Sequence, residues 1–199
     1  MNNNNNNKII RCAWVPDNDE LYKKYHDKEW GVPIHNDRKL FEFLVLDGMQ
    51  AGLSWITILR KRENFRKAFD NFDASKIAEY NDDKINELLA NKGIIRNKLK
   101  IRAVIDNAKA YLKIKKDFGS FDEYIWSFVN GKTIQNEWKS DDEVPAETEI
   151  SKNMSKDMKK KGFKFVGPTI CYAFMQAAGL VNDHITKCFR YEDIKNMSI

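Results

Sequence analysis

The chain is poor in the residues that staple small secreted folds and has none of the long apolar runs that cross membranes. Its 3 cysteines and 3 histidines are too few for a disulfide framework, and no charged stretch followed by an apolar one opens the sequence. Reducing, cytoplasmic surroundings are the expectation. No apolar run approaches the ~18 residues of a membrane span, so no membrane partner is expected. No segment alternates apolar and polar residues strictly enough for a half-buried strand, and no internal repeat recurs at solenoid periods. Residues 1–8 carry an unbroken asparagine run that has no apolar surface to bury, and they read as a disordered tail. Residues 9–199 are long enough for one domain with a substantial core.

What is present is helical punctuation. The 34 Lys+Arg against 29 Asp+Glu leave a net charge of +5, a mild tilt toward polyanions that ordinary surface chemistry also produces. Apolar residues recur at helical spacing almost throughout, so the expected class is all-α. Asp37 is placed to cap a helix that buries Leu40, Phe41, Leu44 and Val45 and ends near Gly48. After the turn Ala51-Gly52-Leu53, Ser54 can cap a second helix with Ile58, Leu59, Phe65 and Phe69 inward. Asp82 opens a helix carrying Ile85, Leu88 and Leu89 that stops at Gly93, and Ile101, Val104, Ile105, Ala108 and Leu112 share one face of the next. Ser120 with Glu123 makes a capping box, and Pro168 and Gly179 sit where a first-turn proline and a terminating glycine belong. The polar stretch 131–148 reads as a surface loop.

Three groupings can carry chemistry. His184 and Cys188 are four apart, on one face of a helix if they lie on one, and Cys12 and His26 can supply two more ligands for a tetrahedral ion. The alternative is that these are core residues, since the spacing is not the tight zinc-finger pattern. Four protein ligands would leave no position for an activated water, so such a metal would be structural. Cys171, inside an apolar run, reads as an inert core thiol. Second, the run from Leu88 to Arg96 is a degenerate form of the helix-hairpin-helix pattern, in which backbone amides at Gly93, Ile94, Ile95 and Arg96 can face a DNA phosphate, with Lys98, Lys100 and Arg102 adding charge nearby. Any glycine-joined helix pair would look alike. Third, Asp47 closes one helix just before Trp55 opens the next, while Trp14, Tyr22, Tyr25 and Trp30 crowd the first third of the chain. An acid among aromatic rings can recognise a flat cation, or it can be a helix-end carboxylate beside core rings.

Six segments, in matching order, carry a specific resemblance: Arg11-Cys12-Ala13-Trp14-Val15, the run from Tyr25 to Pro33, Gln50 to Trp55, Lys61 to Asn64, Gly93 to Arg96, and Gly162 to Gly167. Together they resemble the 3-methyladenine DNA glycosylase I family from about Ile10 to Cys188. The resemblance implies an all-α fold of the helix-hairpin-helix DNA glycosylase superfamily, with one structural zinc held by Cys12, His26, His184 and Cys188 linking the N- and C-terminal segments. It implies a base pocket of Trp14, Tyr22, Tyr25, Trp30, Asp47 and Trp55, with Asp47 and Tyr25 as the catalytic groups. Family members often carry Glu where this chain has Asp47, which is shorter by one methylene, about 1.5 Å of reach. Gly52 and Leu53 fall on the wedge that enters the duplex. The family lacks both the water-activating aspartate and the catalytic lysine of its superfamily, so neither a Schiff base nor strand cleavage is expected. The implied substrate is double-stranded DNA containing 3-methyladenine, acted on by a monomer. A silent lesion-binding module and a zinc hydrolase are the rival readings.

Overall fold

The structure, a computed structural model, describes residues 9–197; the expected tail at residues 1–8 lies outside the described residues. Ten α-helices account for most of what is described: α1 (Glu20–Lys28), α2 (Asp37–Gln50), α3 (Trp55–Ala68), α4 (Ala74–Ala78), α5 (Asp82–Ala90), α6 (Lys98–Phe118), α7 (Phe121–Ser127), α8 (Glu149–Lys160), α9 (Pro168–Ala177) and α10 (Arg190–Lys195). The all-α expectation holds. A two-residue parallel pair, Ile134–Gln135 with Val181–Asn182, is a small exception.

Helix α2 runs through the centre. From Leu40 to Met49 every residue is buried, because the helix packs against α3, α6, α7 and α9 at once; a helix covered on all sides must be apolar nearly all round. Asp47 is therefore an anomaly in that stretch.

Several sequence expectations need correcting in detail. The cap of α2 is Asn36, whose side chain accepts from the Lys39 amide; Asp37 sits in the first turn and instead pairs with Lys115 at 2.9 Å. Ser54 stands at the cap of α3, but its hydroxyl bonds Thr57 Oγ1 rather than a backbone amide. Leu112 is exposed, and the buried face of α6 continues through Tyr111 and Ile114, because 3.6-residue turns carry the stripe to those positions. Ser120 accepts from the Glu123 amide, while the reciprocal capping box lies at Thr148 and Ser151.

Gly179 ends α9 with a φ of +76°, and a side chain there would sit 2.5 Å from the backbone of Val32 and Pro33. Only glycine permits that approach. Its consequence is that the C-terminal end of α9 lies directly on the loop after α1, bringing the two chain ends together.

Candidate functional site

The two chain ends meet at a cluster of sulfur and imidazole. Cys12, His26, His184 and Cys188 are all buried, with one ligand atom from each lying within 4.8 Å of the others. Cys188 Sγ is 3.5 Å from His26 Nε2 and 3.5 Å from His184 Nδ1, and Cys12 Sγ is 3.6 Å from His184 Nδ1. The thiol of Cys12 and then the imidazoles hold Cys188 well down as a thiolate, while its negative neighbour pushes Cys12 up. The other imidazole nitrogens are committed as well. His26 Nδ1 bonds Asp27 at 2.8 Å, and Asp27 in turn receives two bonds from Arg11 at 2.8 and 2.7 Å. Burial opposes the Asp27 charge, but the Arg11 and His26 bonds outweigh it and lower its pKa. Such outer partners fix ring orientation and tautomer. This set can hold a metal ion.

Beside the cluster lies a cavity of about 360 Å³, within the range of small-molecule sites. All six residues expected to form a base pocket line it: Trp14, Tyr22, Tyr25, Trp30, Asp47 and Trp55. Trp14 meets Tyr22 and Trp30 with ring centres 5.3 and 5.0 Å apart, and Tyr25 meets Trp55 at 5.3 Å. Helix α1 supplies the tyrosines, the end of α2 supplies Asp47, and the first residue of α3 is Trp55. These three helices are locked by Arg62 of α3, buried at 6 % exposure, which bonds Glu29 at 2.6 Å and Glu42 at 2.7 Å.

Asp47 is 3 % exposed. Burial raises its carboxyl well above the ordinary range, only partly opposed by the positive charge of Arg62. Burial, then the Asp47 charge, raises the Tyr25 phenol. Asp47 Oδ2 and Trp55 Nε1 are buried without a hydrogen-bond partner among the described residues. Unpaired buried polar atoms are uncommon, and at a cavity wall they mark where a ligand bonds.

Sequence reading missed the opposite wall. Asp141 and Val144 line it, from the stretch read as a surface loop, and so do Gln176 and Asp183. Asp183 is buried and accepts from Asn136, Trp138, Tyr172 and Gln176 at 2.7–2.8 Å. It thereby draws the loop onto α9. The one available signal was Trp138, an isolated aromatic in a polar stretch.

The methyladenine glycosylase family matches residues 14–191. The chain belongs to that family. DNA-3-methyladenine glycosylase 1 of Escherichia coli K12 is 50 % identical over 181 residues, 91 % of this chain and 96 % of the relative. A crystal structure of 3-methyladenine DNA glycosylase I superposes with a TM-score of 0.88 at 53 % identity, covering 90 % of this chain and 98 % of the other. A single-substitution variant of 3-methyladenine DNA glycosylase I in complex with 3-methyladenine superposes at 0.87 and 36 % identity, covering 90 % of this chain and 96 % of the other.

The remaining expected residues of this methyladenine glycosylase lie on turns. Gly52, with φ +76° and open space around it, and Leu53, 41 % exposed, form the tip between α2 and α3. Between α5 and α6, Gly93 donates its amide to Asn91 Oδ1 and Ile94 donates to the Asn91 carbonyl at 3.4 Å, with the Ile94 side chain buried. Their amides are thus committed within the turn, whereas the Ile95 and Arg96 amides have no backbone acceptor among the described residues. Of the nearby charges, Lys100 is buried and Arg102 faces Asp82 at 3.3 Å; Arg96 and Lys98 remain exposed.

Proposed function

We propose that this chain, as one helical domain, hydrolyses the N-glycosidic bond of 3-methyladenine in alkylated double-stranded DNA, releasing the base and leaving an abasic site. The observation that carries this is the ring-walled cavity with its two unpaired polar atoms, Asp47 Oδ2 and Trp55 Nε1. Methylation at N3 makes the base a flat cation and weakens its bond to the sugar, so the substrate brings much of its own activation. Aromatic faces attract such a cation, and neutral adenine lacks that attraction. Burial raises the pKa of the Asp47 carboxyl; a cationic base beside it favours the carboxylate, so binding of such a base and ionisation of the acid support each other. Asp47 and Tyr25 hydrogen-bond the departing base, and water captures the oxocarbenium-like sugar. No lysine lines the cavity among the described residues, in keeping with simple hydrolysis without a Schiff base.

Leu53 and Gly52 enter the duplex in place of the lesion, and the Ile95 and Arg96 amides grip a phosphate, with Gly93 and Ile94 shaping their turn. The chain acts as a monomer in this reading. The metal is zinc, with a structural role. Tetrahedral zinc with bonds of ~2.3 Å to sulfur and ~2.0 Å to nitrogen sets those ligands about 3.5 Å apart, matching the sulfur–nitrogen separations of 3.5–3.6 Å.

The test is chromatographic detection of free 3-methyladenine released from methylated duplex DNA. Wild-type protein releases it, and Asp47→Asn and Trp55→Ala do so much more slowly. Binding without release would instead describe a lesion-binding module, and unchanged rates in both variants would overturn the pocket.

A further inference from the structure

Lys100 is the third residue of α6, one turn from Arg96, yet its side chain points inward. Its ammonium donates to the Met49 carbonyl at 2.8 Å and to the Ala51 carbonyl at 2.6 Å. These carbonyls close α2 and have no partner within that helix. A helix C-terminus leaves such acceptors open and favours a cation. Here the cation comes from another helix and binds on both sides of Gln50, whose own carbonyl accepts from Leu53 at 2.6 Å. The tip Gly52–Leu53 begins at the next residue. A second lysine reaches the other way: Lys61 of α3, the helix that follows the tip, donates to the Lys92 and Gly93 carbonyls at 3.1 and 3.4 Å. Lys100 thus ties the first turn of α6 to the end of α2 beside the tip, and Lys61 ties the α5–α6 turn to α3, the helix on the tip's other side.

We propose that Lys100 is a positioning residue for base excision: through Met49 and Ala51 it fixes the distance between the phosphate-gripping turn and the tip that enters the duplex. This rests on the DNA reading of those two turns given above. Gripping a phosphate and wedging the stack then become one rigid-body event, and Lys100 itself touches no phosphate.

The experiment compares wild type with Lys100→Met in three measurements. Free 3-methyladenine binding, read by tryptophan quenching, stays within about twofold because Lys100 does not line the cavity. Binding to a duplex with a tetrahydrofuran abasic analogue weakens, and kcat on methylated duplex falls roughly tenfold to a hundredfold, as for a small misplacement of reacting parts. The slope of log affinity against log salt is unchanged, whereas loss of a direct phosphate contact lowers it by about one. A lowered slope, equal loss for free base and duplex, or no loss for either overturns the proposal. Where Lys100→Met does not fold, Lys100→Gln keeps amide N–H donors on a shorter, uncharged side chain and carries the same comparison, with a smaller loss confined to the duplex. Absence of base release by the wild type would sink the glycosylase reading instead, and is scored separately.

Discussion

His184 Nε2 lies 3.2 Å from the backbone carbonyl of Trp30. A carbonyl only accepts, so Nε2 carries a proton, and Nδ1 is the ring atom that faces the sulfurs of Cys12 and Cys188. The Trp30 ring lines the cavity while its carbonyl orients the His184 imidazole, and Trp14 packs on His26 with ring centres 5.2 Å apart. The Cys/His cluster and the pocket therefore share walls.

Chelation is expected to disturb both. Stripping the ion, or Cys188→Ser, should lower Tm by about 10 °C or more, since structural zinc contributes several kcal/mol. Binding of free 3-methyladenine should weaken together with Tm. Calorimetry and tryptophan fluorescence with and without added zinc are the check; unaltered base binding in the metal-free protein would uncouple the two sites.

Asp47→Asn should trade activity for stability. The folded carboxyl has a raised pKa, so the folded chain holds a proton that the unfolded chain releases above about pH 4. Wild-type stability is then full below that pH and declines as pH rises toward the folded value. The neutral amide escapes this decline. Urea melts should show variant and wild type alike near pH 4 and the variant more stable at pH 7, while excision drops ~100-fold or more.

Leu53→Gly should separate binding the base from opening the duplex. Its side chain is 41 % exposed, so Tm should move little, by less than about 0.5 kcal/mol of stability. Free-base affinity should be unchanged, and excision from duplex should fall while excision from single strands is spared. Equal loss on both substrates would remove the wedge role.

Asp183→Ala should cost far more stability than an ordinary loop change. Four donors, from Asn136, Trp138, Tyr172 and Gln176, lose their common acceptor. Several unmet buried donors together amount to about 3–5 kcal/mol. Denaturant midpoints give the number, and proteolysis within the stretch 131–148 should accelerate as that loop leaves α9.

Much was legible from residue order. The positions of α2, α3, α5, α6, α7 and α9 followed from apolar spacing and from Gly and Pro punctuation because those signals are local: they act through backbone geometry within a few residues. The Cys/His quartet and the ring set were visible as residue types, and the family resemblance supplied the roles proposed for them. Finer local choices escaped. Asn36 is the cap, while Asp37, one residue into the helix, meets Lys115 and the Asp122 amide across the fold.

Distance across the chain is where sequence reading stopped. That Asp47 is desolvated follows from four helices closing on α2, and nothing in its neighbours' identities says so. Lys100 looked like one of a row of DNA-facing cations; only the placement of α2's open carbonyls within reach turned it inward. The stretch 131–148 looked like solvent-exposed loop because its polar residues are ordinary for one, yet Asp183, some forty residues onward, collects them into a pocket wall. Local preference is written in adjacent residues, whereas burial and charge depend on which distant groups the packed chain brings alongside.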